Sequence, residues 1–525
     1  MQSLAKFGHT LPPSLWIVTR GAIASGQELS NLVQAPLQGL GKVIALEHNR
    51  LWGGMIDLSP NTYNNEVEML LPAIQTADGE DQIVIREEQC YVPRLISYQP
   101  QKGLIQKFNS NSTYLITGGL GALGLQIAEW FVQQGVRHLV LVNRSLASQQ
   151  TQIILDKLRQ KGVTVKVAQA DVSSPVAIAG VLEDIKANMP PLRGIIHAAG
   201  ILDDGILIEQ NWQRFWQVLE PKVAGAWNLH QLTQDIQLDF FVCFSSIAAL
   251  LGSLGQANYA AANAFVDALA HYRQKLGLPG LSINWGPFSG IGMAATVDNY
   301  YQTRWQEQGI NPLNPEQAMQ ILELLFKQDK PQVGVFQVDW SIFSQDRRVE
   351  VQRPILAELI IPSKLQANEI ESNSATSDLL NQLQLADHRD HYEILVTYLQ
   401  KQVHQILRLA SSQLPEPQQG FFDMGIDSLM AIELKNLLES RLHISLPTTL
   451  ILEFPTIHEL AVYLEQEVVI LQSSRQTHQI DSPDLLENLE QLSNLETLSD
   501  TALVEPDFVQ ELAELETLLK GNKYE

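Results

Sequence analysis

The sequence predicts an α/β fold, a doubly wound parallel sheet in two successive halves, followed by a small all-helical bundle and a helical tail. Three observations predict it. Short apolar runs bounded by glycine and polar residues alternate with helically spaced apolar stripes through the first two-thirds of the chain, the signature of buried parallel strands joined by helices. The stretch Thr113-Tyr-Leu-Ile-Thr-Gly-Gly-Leu-Gly-Ala-Leu-Gly124 sets glycines between one such strand and a helix. From residue 389 onward the segments are too short for another strand–helix unit and show only the helical period.

Composition bounds the rest. A chain of 525 residues exceeds one ordinary domain. An apolar content of 45% with 18% charged residues is that of globular protein. The net charge of −23 argues against binding nucleic acid or an anionic membrane surface. Cys90 and Cys243 make neither a disulfide framework nor a metal site, so no metal is expected. No apolar run is long enough to span a bilayer, and the first residues lack the blocks of a signal peptide. A cytoplasmic location is the expectation.

Residues 1–108 hold three strand candidates, at Trp16–Arg20, Gly54–Leu58 and Asp81–Arg86, and a short helix at Gln38–Glu47. They show no glycine fingerprint and no cluster of catalytic residue types. His9 and His48 read as surface or packed histidines, and this piece reads as structural.

Residues 109–345 form the second α/β unit. The strand at Tyr114–Ile116 runs into Thr117, Gly118, Gly119, Gly121 and Gly124, and the helix after it carries Leu123, Ile127, Trp130 and Phe131. Glycine lets the backbone turn tightly and approach a pyrophosphate, and the helix N-terminus then faces the phosphates: a Rossmann-like dinucleotide site. The next strand, His138–Val142, ends in Asn143, Arg144 and Ser145. An NAD site puts an acid about 20 residues after the glycines. Here Arg144 stands in that region, and a cation there suits the 2′-phosphate of NADPH; the alternative is a surface arginine at a strand end. Further strands run Thr164–Ala168, leading to Asp171 and Val172, and from Gly194 to His197, leading to Ala198, Ala199 and Gly200. Phe240–Phe244 leads to Ser245 and Ser246, and Leu281–Asn284 completes the set. Trp212, Phe215, Trp216 and Leu219 read as the core side of a helix.

These elements carry a resemblance. Thr117–Gly124, Asn143–Ser145, His197–Gly200, Pro221-Lys-Val-Ala-Gly225, Phe244–Ser246, and Tyr259 with Asn263 four residues on, resemble the ketoreductase domain of modular polyketide synthases. That domain is a complex member of the short-chain dehydrogenase/reductase group. Residues 1–108 resemble the silent structural half of such reductases, including Gly39–His48. In the family that half has more chain before its Trp-Ile-Val-Thr-Arg strand, so a truncated half, or a start upstream of Met1, is expected.

The resemblance implies Tyr259 as general acid, Ser246 as the group polarising the carbonyl, Lys222 as the nearby ammonium and Asn263 as holder of a relay water. The chemistry agrees. A phenol has an unperturbed pKa of about 10, and an adjacent cation lowers it. Simpler members of the group place the lysine four residues after the tyrosine; the polyketide family shows the exchange seen here. Spacing to Tyr259 selects Ser246 over Ser245.

Residues 346–388 read as a flexible polar linker. Residues 389–470 carry one stripe at Tyr392, Leu395, Leu399, Val403, Ile406 and Leu407 and another at Ile432, Leu434, Leu437 and Leu438. They resemble the acyl carrier protein of the same synthases. Gly425-Ile-Asp-Ser-Leu429 matches the 4′-phosphopantetheine attachment motif, with Ser428 as acceptor. A serine at a helix start is alternatively a plain N-cap. The acidic tail, 471–525, has helically spaced leucines and loosely resembles a docking segment; a solvated helix is the alternative.

Leu202, Asp203 and Asp204 match the fingerprint of B-type ketoreductases, which give a D-configured 3-hydroxyl; with Leu251 where the opposite type carries tryptophan and Ala261 where the epimerising B variety carries proline, the resemblance implies a non-epimerising B-type reductase. A solvated turn at the two aspartates is the alternative. The implied activity is NADPH-dependent reduction of a 3-ketoacyl thioester. Implied partners are acyl thioester intermediates, a phosphopantetheinyl transferase, upstream and downstream synthase modules and, in a homodimer, a second copy of the chain. A carrier protein with a dead, truncated reductase and a free-standing NADPH reductase remain as other readings.

Overall fold

The computed structural model describes residues 13–25, 31–62, 65–75, 79–100, 108–290, 292, 305–306, 309–326, 328–343, 354–359, 379–387, 389–409, 414–442, 444, 446–447 and 449–477. These fall into two compact units, one within residues 13–359 and one within 379–477.

The first unit contains two main sheets. β1 (Leu15–Arg20), β2 (Trp52–Leu58), β3 (Gln82–Arg86) and β4 (Gln89–Tyr91) lie side by side in that order. β1–β2 and β2–β3 pair in parallel, and β3–β4 is an antiparallel hairpin. Its two-residue turn is Glu87-Glu88, both at positive φ (45° and 65°). That backbone matches strand twist but is usually given to Asn-Gly. The helix Pro36–Glu47 packs over this sheet and begins with proline, where the missing N–H had no partner to lose. A helix at Glu66–Gln75, containing Pro72, was not expected from the sequence.

The larger sheet has seven strands in the order β12-β10-β9-β8-β5-β6-β7, all parallel. They are β5 (Thr113–Thr117), β6 (His138–Asn143), β7 (Thr164–Gln169), β8 (Leu192–His197), β9 (Phe240–Ser246), β10 (Leu281–Trp285) and β12 (Gln332–Val335). β11 (Ile310–Asn311) pairs with β13 (Gln337–Val338) apart from it. Residues 114–116, 139–142 and 240–244 are buried on both faces, which explains their continuous apolar runs. Chain order reverses at β5: β6 and β7 lie to one side, β8 and β9 to the other. The carboxyl ends of β5 and β8 therefore flank the crevice where ligands of such sheets bind. Behind it, Phe108 meets Tyr114, Phe131 and Phe326 edge-on at 5.1–5.6 Å.

The second unit is helical. The His391–Leu407 helix buries Leu395, Leu399 and Val403. Ser428–Leu442 buries Ile432, Leu434 and Leu438, and Ile457–Thr477 buries Leu460 and Leu464. Tyr392, Ile406, Leu407 and Leu437 are only partly buried, so each stripe is narrower than its sequence suggests. A helix at Leu379–Leu385, with Leu379 and Leu383 buried, occupies what reads in sequence as the end of the linker. Most of residues 346–378, the tail beyond 477 and His9 lie outside the described residues. Among the described residues no helix is long and apolar enough to cross a membrane, and no acid, histidine and cysteine group could hold a metal.

Candidate active site

The crevice is lined by loops at the carboxyl ends of β5, β8 and β9. Gly118 sits at φ +66°, and a Cβ there would stand 2.9 Å from the Ala198 carbonyl oxygen. The glycine turn and the Ala198–Gly200 loop thus touch across the switch point. A Cβ on Gly124 would come within 2.3 Å of the Gly118 oxygen, so the helix Ala122–Gln133 packs on the turn only because residue 124 lacks one. Thr117 Oγ1 bonds His197 Nδ1 at 2.8 Å beneath the loops. Burial, aided by the Lys222 charge, holds that imidazole's pKa down at about 3, so it is neutral.

Asn143 Nδ2 donates to the Ser145 carbonyl (3.1 Å), closing the turn that presents the exposed Arg144. Gln169 Nε2 donates to the Arg144 carbonyl at 3.2 Å. Asp171 Oδ1 accepts from Ser173 N and Oγ at 2.9 and 2.7 Å, and Asn228 Nδ2 donates to the Val172 carbonyl at 3.1 Å. Leu123 is partly buried against the core.

Ser246 ends β9, and its Oγ accepts from Ala248 N at 3.2 Å, capping the short helix Ile247–Leu251. Tyr259 lies in the first turn of the Ala257–Lys275 helix, 8% exposed. Asn263, one turn on, is fully buried and donates from Nδ2 to the Tyr259 carbonyl at 2.8 Å. Its Oδ1 is buried with no hydrogen-bond partner. Lys222 stands in a one-turn π-helix, Glu220–Ala224, a form that is often found at functional sites. Its Nζ donates to the Phe244 carbonyl, two residues before Ser246. A Cβ on Gly200 would meet Lys222 Cε at 2.8 Å, so the small residue makes room for the lysine.

The titration differs from the sequence expectation. Burial lowers the Lys222 pKa to about 8, opposed by Cys243 and Asp267. Burial likewise pushes the Tyr259 hydroxyl up to about 12; hydrogen bonds from the Asn263 and Ser246 side chains act the other way, and the Asp204 charge adds to the rise. Desolvation outweighs the help an ammonium was expected to give.

The Leu202–Gly205 loop is tied down by side-chain hydrogen bonds, with Asp204 exposed. Arg214 donates to Asp203 Oδ1 from Nε and Nη2 at 3.0 and 2.7 Å, and Nη2 also donates to the Asp204 carbonyl at 2.7 Å. Gln256 Nε2 donates to Asp204 Oδ2 at 3.0 Å, and Asn258 Nδ2 to the Asp203 carbonyl at 2.8 Å. Leu251 is buried with Ile310, Phe343 and Leu356, so its side chain is core. Ala261 is buried too, its backbone N 2.8 Å from where a Cβ on Gly39 would lie.

In the helical unit, Gly425 turns the chain at φ +99° ahead of the helix that Ser428 begins. The cap belongs to Asp427, whose Oδ1 accepts from Met430 N at 2.8 Å. Ser428 is half-buried at the helix N-terminus, where a phosphodiester is electrostatically favoured.

Sequence reasoning gave no role to Asn258 and Arg214, because polar side chains that brace loops leave no spacing signal. A buried network behind the serines was also unseen. Asn284 Nδ2 donates to Ser245 Oγ (2.9 Å) and Asp267 Oδ2 (2.8 Å), and Ser282 Oγ donates to Asp267 Oδ1 at 2.5 Å.

A seven-stranded parallel sheet with a glycine turn at its switch point, joined in sequence to a helical bundle with a serine at a helix start, defines a dinucleotide-type α/β protein carrying a second, carrier-type domain. Comparison makes this particular. Three family models match: the Rossmann fold domain of polyketide synthase extender module SpnB over residues 5–95, the KR domain over 112–290 and the phosphopantetheine attachment site over 397–464. Polyketide synthase GfsA of Streptomyces halstedii is 35% identical over 484 residues, 90% of this chain but 6% of that protein's length. A solved structure described as A-type ketoreductases from a modular polyketide synthase is 34% identical, with TM-score 0.62, over 66% of this chain and 74% of that one. An A1-type ketoreductase is 35% identical, TM-score 0.60, over 69% and 75%. The chain belongs to the modular type I polyketide synthases, of which it carries both halves of the ketoreductase region and the phosphopantetheine carrier domain.

Proposed function

We propose that the α/β unit is an NADPH-dependent reductase that converts a 3-ketoacyl thioester, held on 4′-phosphopantetheine at Ser428, into the 3-hydroxyacyl thioester. The observation that carries this is the gathering of Ser246, Tyr259, Asn263 and Lys222 at the carboxyl end of β9, beside the glycine turn. The residues present suit the dinucleotide: the turn at Gly118, Gly119 and Gly121 leaves room for a pyrophosphate, and Arg144 stands exposed for a 2′-phosphate. Ala198, Ala199 and Gly200 keep the opposite wall small. The bound cofactor would supply a hydride.

The chain's own residues handle the oxygen. Tyr259, with its pKa near 12, is protonated at neutral pH and can donate to the developing alkoxide. The Ser246 hydroxyl polarises the carbonyl. Lys222, still mostly charged near pH 7, sets a positive field behind Phe244. The orphaned Asn263 Oδ1 is an acceptor suited to a water on the path that reprotonates Tyr259. The B-type reading rests on the Leu202-Asp203-Asp204 fingerprint, and Arg214, Gln256 and Asn258 brace the loop that bears it. Two of the similar structures are described as A-type and A1-type, so product configuration is the sharpest point at issue.

The domain limits proposed are 1–108, 109–345, 346–388, 389–470 and 471–525, with the helix Leu379–Leu385 moved to the carrier. A phosphopantetheinyl transferase, neighbouring modules and a second copy are the proposed partners. The test has two readouts. One is NADPH oxidation with a ketoacyl thioester mimic, with chiral chromatography of the product. The other is mass gain at Ser428 with transferase and coenzyme A, lost in Ser428→Ala. No oxidation defeats the reductase reading; an L-configured product defeats the B-type assignment; an undiminished mass gain in the variant defeats the attachment site.

A further inference from the structure

A carboxylate from the first sheet's half holds two loops that belong to the second. Glu47, the last residue of the Pro36–Glu47 helix, is 0% exposed. Its Oε2 accepts from Leu207 N at 2.7 Å, and its Oε1 accepts from Gly255 N at 2.9 Å. Leu207 follows Asp204 by three residues. Gly255, at φ +76°, precedes Tyr259 by four. The same two loops also meet each other, Gly205 N donating to the Gly255 carbonyl at 2.7 Å and Gln256 Nε2 to Asp204 Oδ2. One carboxylate therefore holds both the loop that bears the stereochemical fingerprint and the loop that launches the Tyr259 helix.

The arrangement is costly to keep for packing alone. A carboxylate taken fully out of water loses its hydration, and an apolar residue at a helix end would fill the space without that loss. Burial raises the Glu47 pKa to about 7, while the two backbone bonds pull it down and Glu209 adds to the rise. The supporting helix is itself fixed closely. A Cβ on Gly39 would lie 2.1 Å from the Ala260 carbonyl oxygen, and Lys42 Nζ donates to the Ala249 carbonyl at 2.8 Å. Glu47 is thus delivered by a helix seated directly on the Tyr259 helix.

We propose that Glu47 is a positioning residue that sets the spacing of the Leu202–Leu207 and Gly252–Gln256 loops, and through them the approach of the thioester arm to Tyr259. The inference rests on the reductase reading above. It assigns to the half without a glycine fingerprint a role in substrate selection.

The test uses the full chain as wild type, Glu47→Gln and Glu47→Ala. Glutamine keeps size and one acceptor but turns an N–H toward a backbone donor, so one of the two bonds is lost. Each protein is assayed with a ketoacyl pantetheine thioester and with a small cyclic ketone that has no arm to steer, and NADPH affinity is followed by fluorescence. Losing one of the two backbone hydrogen bonds is expected to lower kcat/KM for the thioester about tenfold, mainly through KM. The D-to-L product ratio should erode, while NADPH affinity and small-ketone turnover hold. Equal losses on both substrates, or an unchanged KM and product ratio, overturn the proposal. Wild-type hydrogen exchange covers a failure of the variants to fold: unprotected amides at Leu207 and Gly255 would also overturn it, and protected ones support it. A wild-type chain that reduces neither substrate defeats the reductase reading, and this inference falls with it. One that reduces both while Glu47→Gln changes nothing defeats this inference alone.

Discussion

The two main sheets of the first unit treat the carboxyl ends of their parallel strands in opposite ways. In the smaller sheet, Asp57 near the end of β2 is fully buried. Its Oδ1 accepts from Thr19 Oγ1 (2.7 Å) and Ala22 N (2.9 Å), and its Oδ2 accepts from Ile23 N (3.1 Å) and Arg86 Nη2 (2.5 Å). Arg86 Nη1 donates to the Asp57 carbonyl and Nη2 to that of Ile23, both at 2.9 Å. The place where a ligand would sit is filled by the buried Asp57–Arg86 ion pair. In the larger sheet the corresponding ends carry glycines and a neutral imidazole. Polar atoms there, Asn263 Oδ1 and His197 Nε2, lack hydrogen-bond partners. A buried orphan acceptor costs free energy and invites an explanation from function. The same architecture is closed in one half and left open in the other, and that difference, more than the fold, locates the chemistry.

The largest expected effect breaks the open end. Tyr259→Phe keeps the ring and its packing but removes the proton donor. Turnover of the thioester should fall by about a hundred- to ten-thousand-fold, the usual worth of a positioned acid. NADPH should still bind, as read by fluorescence. A variant that keeps most of its activity would remove Tyr259 from the mechanism.

The next breaks the closed end. Asp57→Ala leaves the Arg86 guanidinium buried beside the donors that faced the carboxylate. Removing one partner of a buried pair costs about 3–5 kcal/mol, so the urea midpoint should drop markedly. If Asp57 belongs only to the scaffold, the fraction that remains folded should reduce substrate with unchanged KM. A stable variant with altered KM would mean that the first sheet's strand ends are not inert.

How much of this was legible follows from the physics of each element. The buried strands were, because β5, β6 and β9 are covered on both faces and must be apolar throughout. Edge strand β12, Gln-Val-Gly-Val, is only four residues long with two valines, too short a pattern to mark it, and was not. The Glu66–Gln75 helix hides behind Pro72. The residues of the open end were legible through resemblance, since Tyr259 and Asn263 sit at a fixed spacing on one helix. The pairs Asp57–Arg86 and Glu47–Gly255 were not, because 29 and 208 residues separate their members and no local pattern marks them. The Tyr259 titration was misjudged for a related reason. Sequence names Lys222 as a neighbour but says nothing of how much water the fold excludes, and that exclusion decides the sign.

A third expectation sharpens the contrast through pH. The Lys222 pKa is lowered to about 8, so the ammonium present at neutral pH is lost as pH rises through that value. Tyr259, near 12, keeps its proton throughout this window. Losing the positive field makes the phenol a poorer donor, so kcat/KM should decline above about pH 8. In Lys222→Ala the overall rate should be lower and that alkaline limb absent. A limb that persists in the variant would assign it to another group.

The smallest effect concerns the rim of the open end. Arg144 is exposed, and its guanidinium stands beyond the turn closed by Asn143 and Ser145. Replacing it with alanine should barely move stability, since exposed substitutions usually fall within about 0.5 kcal/mol. The preference for NADPH over NADH should fall instead. A contact between a guanidinium and a phosphate that both keep water is screened, so a loss of about 1–2 kcal/mol, roughly five- to thirtyfold in relative kcat/KM, is the reasonable scale. Both cofactors should be compared at low and at moderate salt. If Arg144 holds the 2′-phosphate, wild-type preference should shrink as salt rises while the variant's stays flat, because only one of them has a charge pair to screen. A preference that survives Arg144→Ala undiminished at low salt would place 2′-phosphate recognition elsewhere on the crevice.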